Sequence, residues 1–125
     1  MGEDLAQREE RVALEMSMIY MVDEITLKPG KLRQFNDAFA KDYLPKAKER
    51  GLKLVGSWIA PPMEMQGEGN TLVVMWGIEG LDGFWKQRKG SSQDPAVRGW
   101  WEKMSPAIAG RTRRFLEATS FSPMK

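Results

Sequence analysis

Asp23 and Glu24 stand side by side in a stretch, Ile19 to Leu27, whose side chains follow a two-residue period. Neighbouring residues on a strand point to opposite faces. Asp23 therefore falls in line with Met21 and Ile25, and Glu24 falls with Tyr20, Val22 and Thr26. A carboxylate among apolar side chains is suited to acid or base chemistry when no cation neutralises it. The same position is also satisfied by an ion pair with an arginine from the basic C-terminal helix, or by the wet end of the strand. Tyr20 and Tyr43 are the only phenols, and each can orient a ligand oxygen or serve as core. Arg88 offers paired donors for a carboxylate or enolate, and a solvated helix surface is its other reading.

Absences narrow the chemistry further. The chain has no histidine and no cysteine. That excludes histidine-dependent triads, thiolate nucleophiles, disulfides, typical zinc hydrolase sites and histidine-ligated haem. Neither a metal nor a haem cofactor is expected. No Walker A loop or dinucleotide glycine fingerprint is present, and Gly67-Glu68-Gly69 is too short to cradle a phosphate. Five tryptophans remain as ligand walls or core: Trp58, Trp76, Trp85, Trp100 and Trp101. Trp76 and Trp101 read as core. Trp100 and Trp101 are separated by about 100° on a helix, so one core cannot easily take both. Met63, Met65 and Met75 would adapt to an irregular hydrophobic ligand.

These residues need a scaffold, and 125 residues suffice for one domain. Residues 1–17 read as a polar, acidic extension and 18–125 as the domain. The extension lacks the apolar run of a secretory signal, and nothing approaches the roughly 20 apolar residues that span a bilayer. A cytoplasmic protein without a membrane partner is expected. The net charge is +2. Its basic residues, concentrated in the last third, read as solvated helix faces, so no nucleic-acid partner is expected.

The first strand ends at Pro29-Gly30. A helix follows with Leu32, Phe35, Phe39, Tyr43 and Ala47 on one face, kinked or restarted at Pro45 and closed by Gly51. Strands are expected over Leu52–Ile59 and Thr71–Ile78, joined by a wide loop. A short helix with Phe84 and Trp85 should end in a turn at Gly90–Ser92. Asp94-Pro95 starts the next helix, lined by Val97, Trp101, Met104 and Ile108. A fourth strand is expected over Glu117–Ser122. The order β-α-β-β-α-β is that of an α+β, ferredoxin-like unit with an antiparallel four-stranded sheet. Its helices cover one face only. The nearly all-apolar third strand would leave the other as a large apolar patch, so a homodimer is expected.

In this arrangement Ile19-Tyr20, Leu27 to Leu32, Gly56-Ser57-Trp58, Asn70 to Trp76, Leu81, Phe84, Arg88 and Asp94-Pro95 resemble the NIPSNAP-like families of the dimeric α+β barrel superfamily. The resemblance covers roughly residues 19–121, carried by the order and spacing of short motifs. Members often have a histidine where this chain has Val74, and Glu and Arg where it has Met21 and Asp23. The resemblance implies a dimeric barrel with a cavity whose mouth lies near Trp58 and Trp85. The superfamily resemblance brings cofactor-free monooxygenases, polyketide cyclases, lactone isomerases and haem-degrading enzymes as candidates, and the tryptophan and methionine walls suit a hydrophobic, aromatic or cyclic small-molecule ligand. The expected pocket has walls of Trp58, Trp76 and Trp85, with Asp23 as its acid and Arg88 at its mouth. A non-catalytic binding module is the alternative.

Overall fold

The two-residue period that starts at Ile19 becomes β1 (Met18–Leu27) in the computed structural model, which describes residues 4–8 and 18–124. It is followed by α1 (Leu32–Ala38), a π-helical turn (Phe39–Tyr43) and α2 (Leu44–Glu49). β2 (Lys53–Ala60), β3 (Thr71–Glu79), α3 (Gly80–Gln93), α4 (Pro95–Met104), a 3-10 turn (Ser105–Ala107) and β4 (Ile108–Glu117) complete the order. The strands form one antiparallel sheet in the order β2-β3-β1-β4. This is the expected α+β, ferredoxin-like topology. Residues 5–8 make one helical turn, in which the Gln7 N–H donates to the Asp4 side chain at 2.8 Å. The rest of the expected 1–17 extension lies outside the described residues.

The sheet's alternation decides what the helices cover. Met21, Asp23 and Ile25 of β1 lie beside Trp76, Val74 and Leu72 of β3. All six are essentially sealed from solvent. Phe35, Phe39, Tyr43, Trp100 and Met104 pack over this face and complete the core. Burying such side chains drives folding at about 1.5–3 kcal/mol for each large apolar group. The opposite face carries Tyr20, Val22, Val73, Met75 and Leu116, placed there by the same pleat.

Pro45 does not bend the first helix as a simple kink. The Leu44 N–H bonds the Phe39 carbonyl, five residues back, and Pro45 then enters the first turn of α2. The wide turn accommodates a ring that would otherwise press on the carbonyl four residues earlier. Gly30 and Gly51 take positive φ, 77° and 84°, at the two turns where the sequence calls for them.

Four expectations are corrected. The fourth strand occupies Ile108–Glu117, not Glu117–Ser122. Pro106 enters the 3-10 turn that closes α4, so Ile108 begins a strand instead of lining a helix. The backbone stays helical through Gly90–Ser92, and the break comes at Asp94. Pro95 holds that residue extended (φ −83°, ψ 111°) while its side chain caps the Ala96 N–H at 2.9 Å. On α4, Trp100 is the buried tryptophan and Trp101 is only half-buried.

Candidate functional site

Asp23 pairs across the sheet with Arg113 of β4. Arg113 Nε donates to Asp23 Oδ1 at 2.6 Å and its Nη2 to Oδ2 at 3.1 Å. Trp76 Nε1 donates to the same Oδ2 at 3.3 Å. A carboxylate with no solvent exposure is thereby neutralised by a forked guanidinium. Burial works against the Arg113 charge, but the hydrogen bond and charge of Asp23, aided by Tyr43, outweigh it and hold its pKa above the ordinary value. The ion pair comes from a strand, not from the expected C-terminal helix.

Tyr43 stands at the centre of this side of the sheet. Its ring lies 4.9 Å from Phe39 and from Trp100, 5.1 Å from Trp101 and 6.3 Å from Trp76. Its hydroxyl accepts from Arg50 Nη2 at 3.0 Å. Outside that cluster, Trp101 forms a wall of a cleft of about 390 Å³ between α4 and the start of β4. The lining adds Arg98, Glu102, Ser105, Ile108 and Arg111. The Arg111 guanidinium sits 3.8 Å above the Trp101 ring centre, a cation–π contact. Burial and the neighbouring Arg113 charge pull the Arg111 pKa down, against the attraction of Asp23 and Tyr43. The cleft joins an apolar wall of Trp101 and Ile108 to two guanidiniums and one carboxylate, a combination that suits a planar molecule with an acidic oxygen.

The site residues expected from sequence are divided between two faces. Asp23, Tyr43 and Trp76 come together under the helices. Trp58 is 54% exposed and lies on the open face, its ring over Gly56, where a Cβ would come within 2.4 Å of it. Tyr20 is on that open face too, bordering a cavity of about 270 Å³ with Met75, Leu116 and the chain's last segment. Trp85, 60% exposed, and Arg88 lie on the surface of α3. In the described chain they do not wall one pocket with Asp23. Sequence reasoning missed Arg50, Arg98, Glu102, Arg111 and Arg113. The available signal was the alternation of Arg111, Arg113 and Phe115, which is a strand period. Among the described residues no cluster of three or more acids could hold a metal, and no helix is long and apolar enough to cross a membrane.

Comparison with known proteins fixes the lineage. No curated protein matches the sequence. A NIPSNAP-like domain protein from Burkholderia xenovorans is similar in structure, with TM-score 0.68 and 22% identity over 86% of this chain and 90% of that one. A NIPSNAP family protein from Agrobacterium tumefaciens C58 gives TM-score 0.69 and 21% identity over 88% and 96%. A proposed antibiotic biosynthesis monooxygenase from Caulobacter crescentus CB15 shares the fold at TM-score 0.55 and 16% identity, over 90% and 99%. At these identities the structures speak for the fold alone. The family profile described as NIPSNAP matches residues 20–123, nearly the whole chain, and the chain therefore belongs to the NIPSNAP family.

Proposed function

We propose that this chain is a homodimer that binds a hydrophobic aromatic or cyclic small molecule in the cleft between α4 and β4 and moves a proton on it without metal or haem. The observation that carries the reading is the cleft wall itself, Trp101 and Ile108 flanked by Arg98, Arg111 and Glu102. An enolate or carboxylate on the ligand would be met by Arg111, while Glu102 is the lining carboxylate available as a base. Asp23 is a positioning residue here. It bears on the cleft through its charge on Arg111 and through Arg113, which it holds in a fork. The likeness in fold to a proposed antibiotic biosynthesis monooxygenase supports a polyketide-like ligand class by analogy only.

The dimer rests on the open sheet face. Trp58 and Val55 (41% exposed) on β2 and Leu116 (39% exposed) on β4 make this face an apolar surface that a second sheet would cover.

Deuterium incorporation from D2O into a panel of cyclic ketones tests the reaction. The wild type should exceed buffer, Glu102→Gln should fall to buffer, and Trp101→Ala should weaken binding at least tenfold. Binding with no exchange in any protein would instead establish the second reading, a non-catalytic binding module. That reading is favoured by the complete engagement of Asp23.

A further inference from the structure

We infer that Arg50, together with Tyr43, forms the seat for an oxyanion carried by the ligand as a carboxylate, an inference that rests on the cleft reading above. Arg50 ends α2 and is only 6% exposed. Its Nη2 donates to the Tyr43 hydroxyl, and its Cζ lies 5.5 Å from the centre of that ring. Its Nε and Nη1 are buried with no hydrogen-bond partner. A guanidinium has five donors and no acceptor, and a buried charge left without acceptors is strongly unfavourable. Trp100, whose ring centre lies 4.9 Å from that of Tyr43, carries a second buried donor without a partner, its indole nitrogen.

The Tyr43 oxygen has its own imbalance. It accepts from Arg50, and Arg113 also bonds it. Neither guanidinium can take its proton. Arg50, Arg111 and Arg113 thus gather about a phenol; Asp23 acts on Arg111 and Arg113, and its fork belongs to Arg113. What is missing is negative charge with oxygen lone pairs. Trp101 is the partition between this array and the cleft, its ring 5.1 Å from Tyr43. A ligand whose body lies in the cleft would reach the array once the Trp101 and Arg111 side chains turn aside.

Calorimetric titration with 2-naphthoate and with its neutral counterpart 2-naphthamide tests the seat. A charge-assisted hydrogen bond to a buried guanidinium should favour the carboxylate by about tenfold or more. Arg50→Met should bring the two probes level, lowering the carboxylate's affinity far more than the amide's. Met is an apolar replacement for a buried charge, a change that folds tolerate well, and far-UV circular dichroism checks it. Tyr43→Phe, which keeps the ring, should also reduce the preference. Equal affinity of both probes for the wild type, or a preference surviving in Arg50→Met, would overturn the seat and leave the cleft reading standing. Binding of neither probe would remove the cleft reading and the seat with it. A melting temperature raised by acetate in the wild type but not in Arg50→Met, without a naphthoate preference, would assign the position to a free anion and overturn its role toward the ligand.

Discussion

Asp23 and Arg113 are directly opposed residues of neighbouring antiparallel strands, and their side chains close a two-point ion pair on the buried face of the sheet. Directly opposed pairs on one face are the unit by which strands recognise one another. Here the pair also fixes the register of β4, because a slip of one residue would turn Arg113 to the open face and leave Asp23 buried without its counter-charge.

Removing one partner should therefore cost far more than removing both. Asp23→Asn leaves Arg113 partly buried without a counter-charge and should cost about 3–5 kcal/mol, whereas Asp23→Leu combined with Arg113→Met should recover most of it. Urea unfolding of these variants, with Asp23→Leu and Arg113→Met alone completing the cycle for the double variant, measures the difference. Additive effects would show that the pair does not act as a unit.

The open face makes a second expectation measurable. Light scattering should give a mass near twice 14.2 kDa at low micromolar concentration. Trp58→Glu, on a side chain that contributes nothing to the monomer's core, should weaken the dimer by about tenfold or more without unfolding the chain. A monodisperse wild-type monomer would end the dimer proposal.

Two glycines predict opposite tolerances. A Cβ on Gly69 would lie 2.1 Å from the backbone oxygen of Leu27, which has no room to move because the Leu27 N–H bonds the Asn70 carbonyl at 2.8 Å. Gly69→Ala should cost about 2 kcal/mol or more in thermal or urea unfolding. Gly56→Ala meets only the far end of the Trp58 side chain, which can turn where backbone cannot, and should cost less. Equal costs would contradict this distinction.

A pH effect follows from Lys53 and Glu79, an ion pair joining β2 to β3. The hydrogen bond and charge of Lys53 hold the Glu79 carboxyl below its ordinary value. A depressed carboxyl stabilises the fold above its unfolded value, and that contribution disappears as pH falls through the folded value. Glu79→Gln should thus flatten the acid limb of the stability curve slightly, and high salt should reduce the difference because both groups are exposed. An unchanged acid limb would show the pair to be inert.

The parts of this fold that were legible are those where side-chain pattern and burial agree. β1 alternates in sequence and in space, and β3 is apolar because it is a central strand. The Asp94 cap was readable because proline and a capping acid act locally. β4 was misplaced because its helix-facing line is Arg111, Arg113 and Phe115, charges where apolar residues are expected. They are tolerated only because Asp23, 90 residues earlier, and Trp101 receive them. Such compensation is tertiary and has no local signature. The site followed the same division. Asp23 was recognisable as an acid out of place, but its partner was not, and Arg50 reads in sequence as an ordinary solvated residue at a helix end.

The widened turn at Phe39–Tyr43 carries a consequence for the family's chain lengths. It holds one residue more than a regular turn would, and Pro45 fits because of that residue. Shortening the segment by one would restore ordinary helix and bring the proline ring against a carbonyl. Segment length and the proline are thus coupled at this place. Relatives whose first helix is one residue shorter should lack a proline at this place, and relatives that keep the proline should keep the extra residue.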